Sequence, residues 1–173
     1  VVIKQGDTGT TVAPGDQIDG GAGTDTVNIS FSGVHDTTAY TLDAVDTDNV
    51  EKVLVSNYET ETDHGTTVSG SLFDSAVTTV GLSSSSASGD TTFSGLTKKV
   101  GAEMRNGSAD LTLTYDSSVF SGTSDVQDLT VSAVTGGTFG AAGAVNAATK
   151  VVDSSLKTAQ KVGKAISGRN KTA

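Results

Sequence analysis

Aspartate recurs every nine residues near the start of the chain, at Asp7, Asp16 and Asp25, and Gly6 and Gly15 each stand directly before one of them. The third lies in the stretch GGAGTDTVN, residues 20–28, where Gly20, Gly21 and Gly23 precede Asp25 and the apolar Val27 follows. Glycines at this density let the backbone enter turn conformations closed to other residues. Such a turn gathers carbonyl oxygens around one point, and an aspartate adds charge to the ring. Carboxylate and carbonyl oxygen form the ligand set of a hard cation, and a flexible cage of about six to eight oxygens suits calcium better than magnesium. Asp7, Asp16, Gly20, Gly21, Gly23 and Asp25 are therefore the candidate metal ligands, and calcium is the candidate ion.

A nonapeptide of this form predicts a half-coil, a tight turn followed by a short strand. Two of them make a full coil, which places Asp7 and Asp25 on one side of a stack and Asp16 on the other, with neighbouring turns sharing a cation. Binding then couples to folding, because clustered carboxylates repel until neutralised.

Downstream the rhythm changes. Apolar triplets recur as VEKVLV (Val50, Val53, Val55), VTTVGL (Val77, Val80, Leu82), TKKVGA (Val100 with Ala102) and VQDLTV (Val126, Leu129, Val131). In each, the last two apolar residues alternate with one outward residue, as a one-sided strand requires, and Ser, Thr, Gly or Asp clusters lie between triplets. Central residues 53, 80, 100 and 129 are separated by 27, 20 and 29 positions. Repeats of this length suit stacked coils, none of which buries its inner face alone. An ordinary β-sandwich is the alternative. Asn106-Gly107 supports it as a hairpin signal, with Val100, Ala102 and Met104 alternating before it and Leu111, Leu113 and Tyr115 after.

The motif has a familiar form. GGAGTDTVN matches the whole nonapeptide of the repeats-in-toxin (RTX) family, glycine-glycine-x-glycine-x-aspartate-x-apolar-x. TVAPGDQID before it keeps Asp16 and Ile18, while VIKQGDTGT keeps only Asp7. The resemblance implies a parallel β-roll with about one or two calcium ions in its turns, in proteins that bacteria secrete. The Thr-rich coils with TLDAVDTDNVEKVLVSN are similar to the solenoid regions of bacterial surface-layer proteins, the Caulobacter type especially, and of some phage surface proteins.

Composition agrees with an all-β chain. Only 5% of residues are aromatic and there is no Trp, while Thr, Ser, Gly, Val and Asp dominate. Cysteine is absent, which removes disulfides and thiolate metal sites. Residues 1–149 carry 19 acidic against 5 basic residues, and residues 150–173 carry 1 against 6. From about residue 146 to 166, Val152, Leu156, Ala159, Val162 and Ile166 recur at helical spacing, with Lys157, Lys161 and Lys164 on the other side. This predicts a basic amphipathic helix docked on the solenoid end or on another subunit. The organisation is then residues 1–28 as RTX-like calcium-binding repeats, 29–139 as a Thr/Ser-rich β-solenoid, and 140–173 as a Gly/Ala linker and helix.

Other motifs carry less. His35 beside Asp36 and His64 beside Asp63 read as solvated loop residues rather than a metal or acid-base pair. No nucleophile elbow, His-Glu-x-x-His or phosphate loop occurs, so no enzyme is expected. Asn28-Ile-Ser30, Asn106-Gly-Ser108 and Asn170-Lys-Thr172 fit the glycosylation pattern and are assigned no role. The basic tail lacks interleaved aromatics, which argues against nucleic acid, and no run of about 18 apolar residues predicts a membrane span. The expected function is that of an extracellular structural protein on the bacterial cell surface, self-assembling into a surface layer or similar coat. Two alternatives stand beside it. One is a phage virion decoration or fibre subunit, joined to a coat or capsid protein through the C-terminal helix; the other is a calcium-binding accessory domain of a secreted enzyme.

Overall fold

Short segments rich in Val, Leu, Thr and Ser, separated by polar turns, become strands because β-branched side chains fit a pleated, half-buried surface. A computed structural model describes residues 2–6, 9–10, 15–31, 40–42, 45–60, 62, 65–120, 125–143 and 148–153. Strand β1 (Val2–Gly6) doubles back into β2 (Gly9–Thr10), and β3 (Asp16–Asp19) leads to β4 (Thr26–Phe31). Next come β5 (Tyr40–Leu42), β6 (Val45–Asp48), β7 (Lys52–Asn57) and β8 (Thr66–Ser69), then a single 3₁₀ turn over Gly70–Leu72. The later coils contribute β9 (Thr79–Ser83) with β10 (Thr91–Leu96), β11 (Gly101–Arg105) with β12 (Leu111–Tyr115), and β13 (Val126–Ser132) with β14 (Phe139–Ala142). The last strand is β15 (Ala148–Asp153).

These strands form a parallel β-solenoid. The largest sheet has eight strands in the order β15-β13-β11-β9-β7-β4-β1-β2, the second has five in the order β14-β12-β10-β8-β5, and β3 pairs with β6 in a third. Every pairing between described strands is parallel except β1 with β2. The core lies between the two large sheets and is built of in-register columns. Val27, Val53, Val80, Ala102 and Leu129 form one column, and Ile29, Val55, Leu82, Met104 and Val131 form the next. Opposite them, Leu42, Val68, Phe93 and Leu113 stack on the five-stranded sheet, each 1% exposed or less.

The column register corrects the spacing read from the triplets. Ala102, not Val100, is the third coil's counterpart of Val80. The column therefore steps from Val53 to Val80, Ala102 and Leu129, with equal outer coils and a shorter one between them. The leading apolar residues Val50, Val77 and Val100 are buried as well, at the corner before each strand. Val126 breaks this series. It is 47% exposed, and Gln127 turns inward in its place, with 2% exposure. Gln127 Nε2 donates to the Val100 carbonyl at 2.9 Å and its Oε1 accepts from the Tyr115 hydroxyl at 2.6 Å. A buried amide is tolerated only with partners of this kind. Burial also pushes the Tyr115 phenol up to about 12, against the lowering effect of its bonds to Val100 and Gln127, so it remains a donor.

Asn106-Gly107 does not make a hairpin, and the sandwich alternative fails there. Strands β11 and β12 on either side belong to different sheets, so the dipeptide is a corner of the coil. Asn106 has φ 52°, and the residues stacked with it one coil away, Ser84 and Ala133, have φ 60° and 52°. A column of left-handed residues thus turns the chain at one edge. It is tied along the stack by Ser84 N–H to the Arg105 carbonyl at 2.9 Å and Asn106 N–H to the Ser132 carbonyl at 3.0 Å. Asn tolerates this conformation, which explains why the same dipeptide serves both a hairpin and a corner.

The C-terminal expectation also changes. Residues 148–153 are not the start of a helix: Val126 pairs with Ala148 and Val131 with Asp153, so β15 extends the eight-stranded sheet. The open edge of β13 offers a ladder that Thr149, Val151 and Val152, all β-branched, fill more readily than they fill a helical turn. Residues 140–142, read as part of a linker, belong with Phe139 to β14. The rest of the expected helix, residues 154–166, lies outside the described residues, as do His35, Asp36, Asp63 and His64. Among the described residues, no helix is long and apolar enough to cross a membrane.

Phe93 is fully buried between the sheets and Tyr58 is 49% exposed at a corner. Replacing Phe93 with Ala is expected to cost about 3–5 kcal/mol, read as a lowered midpoint in urea unfolding. Tyr58→Ala serves as the surface control and should stay within about 0.5 kcal/mol of the parent.

Candidate functional site

The glycine-rich turn joins β3 to β4, and its glycines are required for different reasons. Gly20 donates its N–H to the Asp48 carbonyl at 2.9 Å, and a Cβ there would sit 2.1 Å from the Asn49 carbonyl oxygen. No other residue allows this approach of two coils. Gly21 and Gly23 have φ of 78° and 140°, conformations that cost an L-residue strain. Gly21 N–H also donates to Asp19 Oδ1 at 2.9 Å, which closes the turn on its own side chain.

The next coil lies directly against this turn. Asn49, left-handed at φ 52°, donates from Nδ2 to Asp19 Oδ1 at 3.0 Å. Asp25 N–H donates to Glu51 Oε2 at 2.7 Å, and Lys52 N–H donates to the Asp25 carbonyl at 3.1 Å. The Glu51 carboxylate therefore caps the Asp25 backbone at this corner. The Oδ2 atom of Asp25 is buried without a hydrogen-bond partner. Such an oxygen lacks the donors that normally stabilise a buried carboxylate.

The corner continues through a third coil. Asp19 pairs in register with Asp48, and the bridge between Thr47 and Phe73 brings Asp48 alongside Asp74. Asp74 Oδ2 accepts from Asn49 N–H at 3.1 Å, while its Oδ1 is buried and unpartnered. Here the positive charge is covalent: Lys98 Nζ donates to the Asp74 and Ser75 carbonyls at 3.0 and 2.6 Å. Burial lowers the Lys98 pKa from its ordinary value, and the negative Asp74 opposes that shift.

The residues singled out from sequence are thus only partly brought together. Gly20, Gly21, Gly23 and Asp25 share the turn. Asp16 is exposed at the far end of β3, about 13 Å along the strand from Gly20. Asp7 lies outside the described residues. The stacking period is also longer than two nonapeptides. Asn28 pairs with Val2 and Lys52 with Thr26, so the first two coils are equal in length, 26 positions each, the first of them including the hairpin of β1 with β2 before the chain crosses to β3. Among the described residues, no group of three or more His, Cys, Asp or Glu is set to hold a metal ion. Sequence reasoning missed Glu51, which stands one coil beyond Asp25; stepping from Asp25 by the true period would have found it.

Asp19 titrates from a lowered value at this corner. The Asn49 amide, then the Gly21 N–H, hold its carboxyl below the usual carboxylate range. A depressed folded-state value means that the stabilisation is complete above the unfolded value and is lost as pH falls through the folded one. Asp19→Asn should therefore flatten the acid side of the stability profile, measured by denaturant unfolding across pH 2 to 6, roughly the carboxylate range. Gly21→Ala should cost about 1–2 kcal/mol at any pH.

Comparison with known proteins finds no family model, no curated relative and no solved structure that matches this chain.

Proposed function

We propose that the chain is a non-enzymatic structural protein of the cell exterior, braced by calcium at its N-terminal corner and assembling with copies of itself into a surface layer or similar coat. The observation that carries this reading is the unpartnered, buried Asp25 Oδ2, on a residue whose N–H is held by Glu51, in a turn whose glycines match the calcium-binding nonapeptide. Asp25 and Glu51 would hold the ion with carbonyl oxygens of the turn. Its contribution is to neutralise the two carboxylates and fasten two successive coils.

Assembly is supported by the ends of the stack. A solenoid without caps presents unpaired strand groups, which invite pairing with another chain. Among the described strands, β14 and β15 end their sheets at one side and β5 ends the five-stranded sheet at the other.

Purified protein should form ordered arrays in calcium and disperse in chelator, seen by negative-stain electron microscopy. In the same samples residues 1–30 should lose protease resistance without calcium. Asp25→Asn with Glu51→Gln should raise the calcium concentration needed for both effects at least tenfold, about 1.4 kcal/mol of binding free energy. Equal protease resistance in chelator removes the calcium brace. Defined small oligomers in place of arrays favour a virion subunit, and a monomer in both conditions favours an accessory domain.

A further inference from the structure

The outer face of the five-stranded sheet is the second ordered surface of the molecule. Its inward residues fill the core, so alternate positions face outward and the parallel register lines them into ranks. Thr41, Thr67, Thr92 and Thr112 follow one another on β5, β8, β10 and β12, with Gly140 continuing the rank on β14. Beside it run Ser69, Ser94, Thr114 and Ala142, stepped where β10 accommodates Gly95 at φ 65°. Strands lie about 4.8 Å apart and residues two apart on a strand about 6.6 Å apart. The hydroxyls and methyls of the first rank are therefore evenly spaced, and the second rank keeps step with it from β8 to β10, beyond which the shift in β10 offsets Thr114.

No outward position in these ranks is charged or aromatic, in a chain of net charge −9. The outer face of the eight-stranded sheet differs sharply. It carries Lys52, Glu103, Arg105 and Asp128, with Lys52 Nζ bridging to Glu103 Oε2 at 2.7 Å. Charge is the ordinary means of keeping an exposed sheet soluble. Among the described residues, carboxylates appear only at the edge of this face, where Asp90 Oδ1 accepts from Asp110 N–H at 2.8 Å and Asp110 Oδ1 from Thr138 N–H at 2.6 Å, so the uncharged ranks between the edges are marked as a contact surface. Lack of aromatic rings disfavours a sugar polymer, whose rings stack on aromatic faces.

We propose that this face binds ice. Each threonine offers a hydroxyl that both donates and accepts, and a methyl that restricts the water beside it. Their β-branched side chains are stiff at χ1 and ride on a continuous backbone ladder, so little freedom is lost when water orders over them. The two spacings approach the repeats of hexagonal ice on its prism faces. A charged side chain would hold its own hydration shell out of step with that lattice, which accounts for the absence of charge here.

The test uses the full chain in calcium-containing buffer, with thermal hysteresis and inhibition of ice recrystallisation as readouts. Thr92→Tyr places a bulky group at the middle of the array, and Thr67→Lys places a charge beside it. Thr130→Tyr, on the outer face of the eight-stranded sheet, is the control, and circular dichroism with urea unfolding verifies the fold of each. The parent chain is expected to arrest ice growth, both array variants to lose most of that activity, and Thr130→Tyr to keep it. The proposal is overturned by an inactive parent, by folded array variants as active as the parent, by adsorption to crystalline cellulose or chitin but not to ice, or by self-association that Thr92→Tyr abolishes. Calcium-dependent assembly is read separately, so either idea can fail without the other.

Discussion

The rest of the structure depends on parallel register. A single coil, such as the one from Val53 to Val80, has too little apolar surface to close a core of its own. It gains one only when its inward residues fall on those of the next coil, Val53 on Val80 and Val68 on Phe93. Backbone ladders hold that alignment, and a slip of one residue would turn every column outward. The coil from Val80 to Ala102 can be shorter than its neighbours because the variation is absorbed at corners, where no column has to match.

Corners consequently carry the individuality of the chain. One edge is turned by Ser84, Asn106 and Ala133 in left-handed conformations. Another is turned by the glycines of residues 20–23, where the Asn49 carbonyl comes so close that no side chain fits. Several buried polar groups gather at such edges, beside a column in which Thr66 and Thr91 stack with Leu111. Asn57 donates to Thr66 Oγ1 at 3.1 Å, and Glu59, 1% exposed, accepts from Thr60 N–H at 2.7 Å and from Ser86 through its carbonyl. Coil ends thereby become hydrogen-bonded joints, which rigidify a stack that has few aromatic anchors.

Much of this was legible in the residues. Alternation in LTV reports inward and outward faces directly, whereas the middle residues of VLV and VGL, Leu54 and Gly81, are buried along with their neighbours, and Gly20, Gly21 and Gly23 report a turn that only glycine can make. What escaped depends on partners distant in sequence. Gln127 reads as an outward polar residue until Tyr115 and Val100 are found across the coil. Asn106-Gly107 carries the same local signal for a hairpin and a corner, and only the sheet to which β12 belongs distinguishes them. Residues 148–153 have a helical periodicity that the open edge of β13 overrides. The threonine ranks were invisible as an array because each member, from Thr41 to Thr112, comes from a different coil.

Lys98 gives the stack a direction. Its ammonium clasps the Asp74 and Ser75 carbonyls from the following coil, so that corner brings its own counterion and owes nothing to the medium. The corner of Asp25 and Glu51 has no such tether among the described residues. Under the calcium brace proposed above, salt composition would act on that extremity of the stack and spare the coils behind it, which would then unzip last.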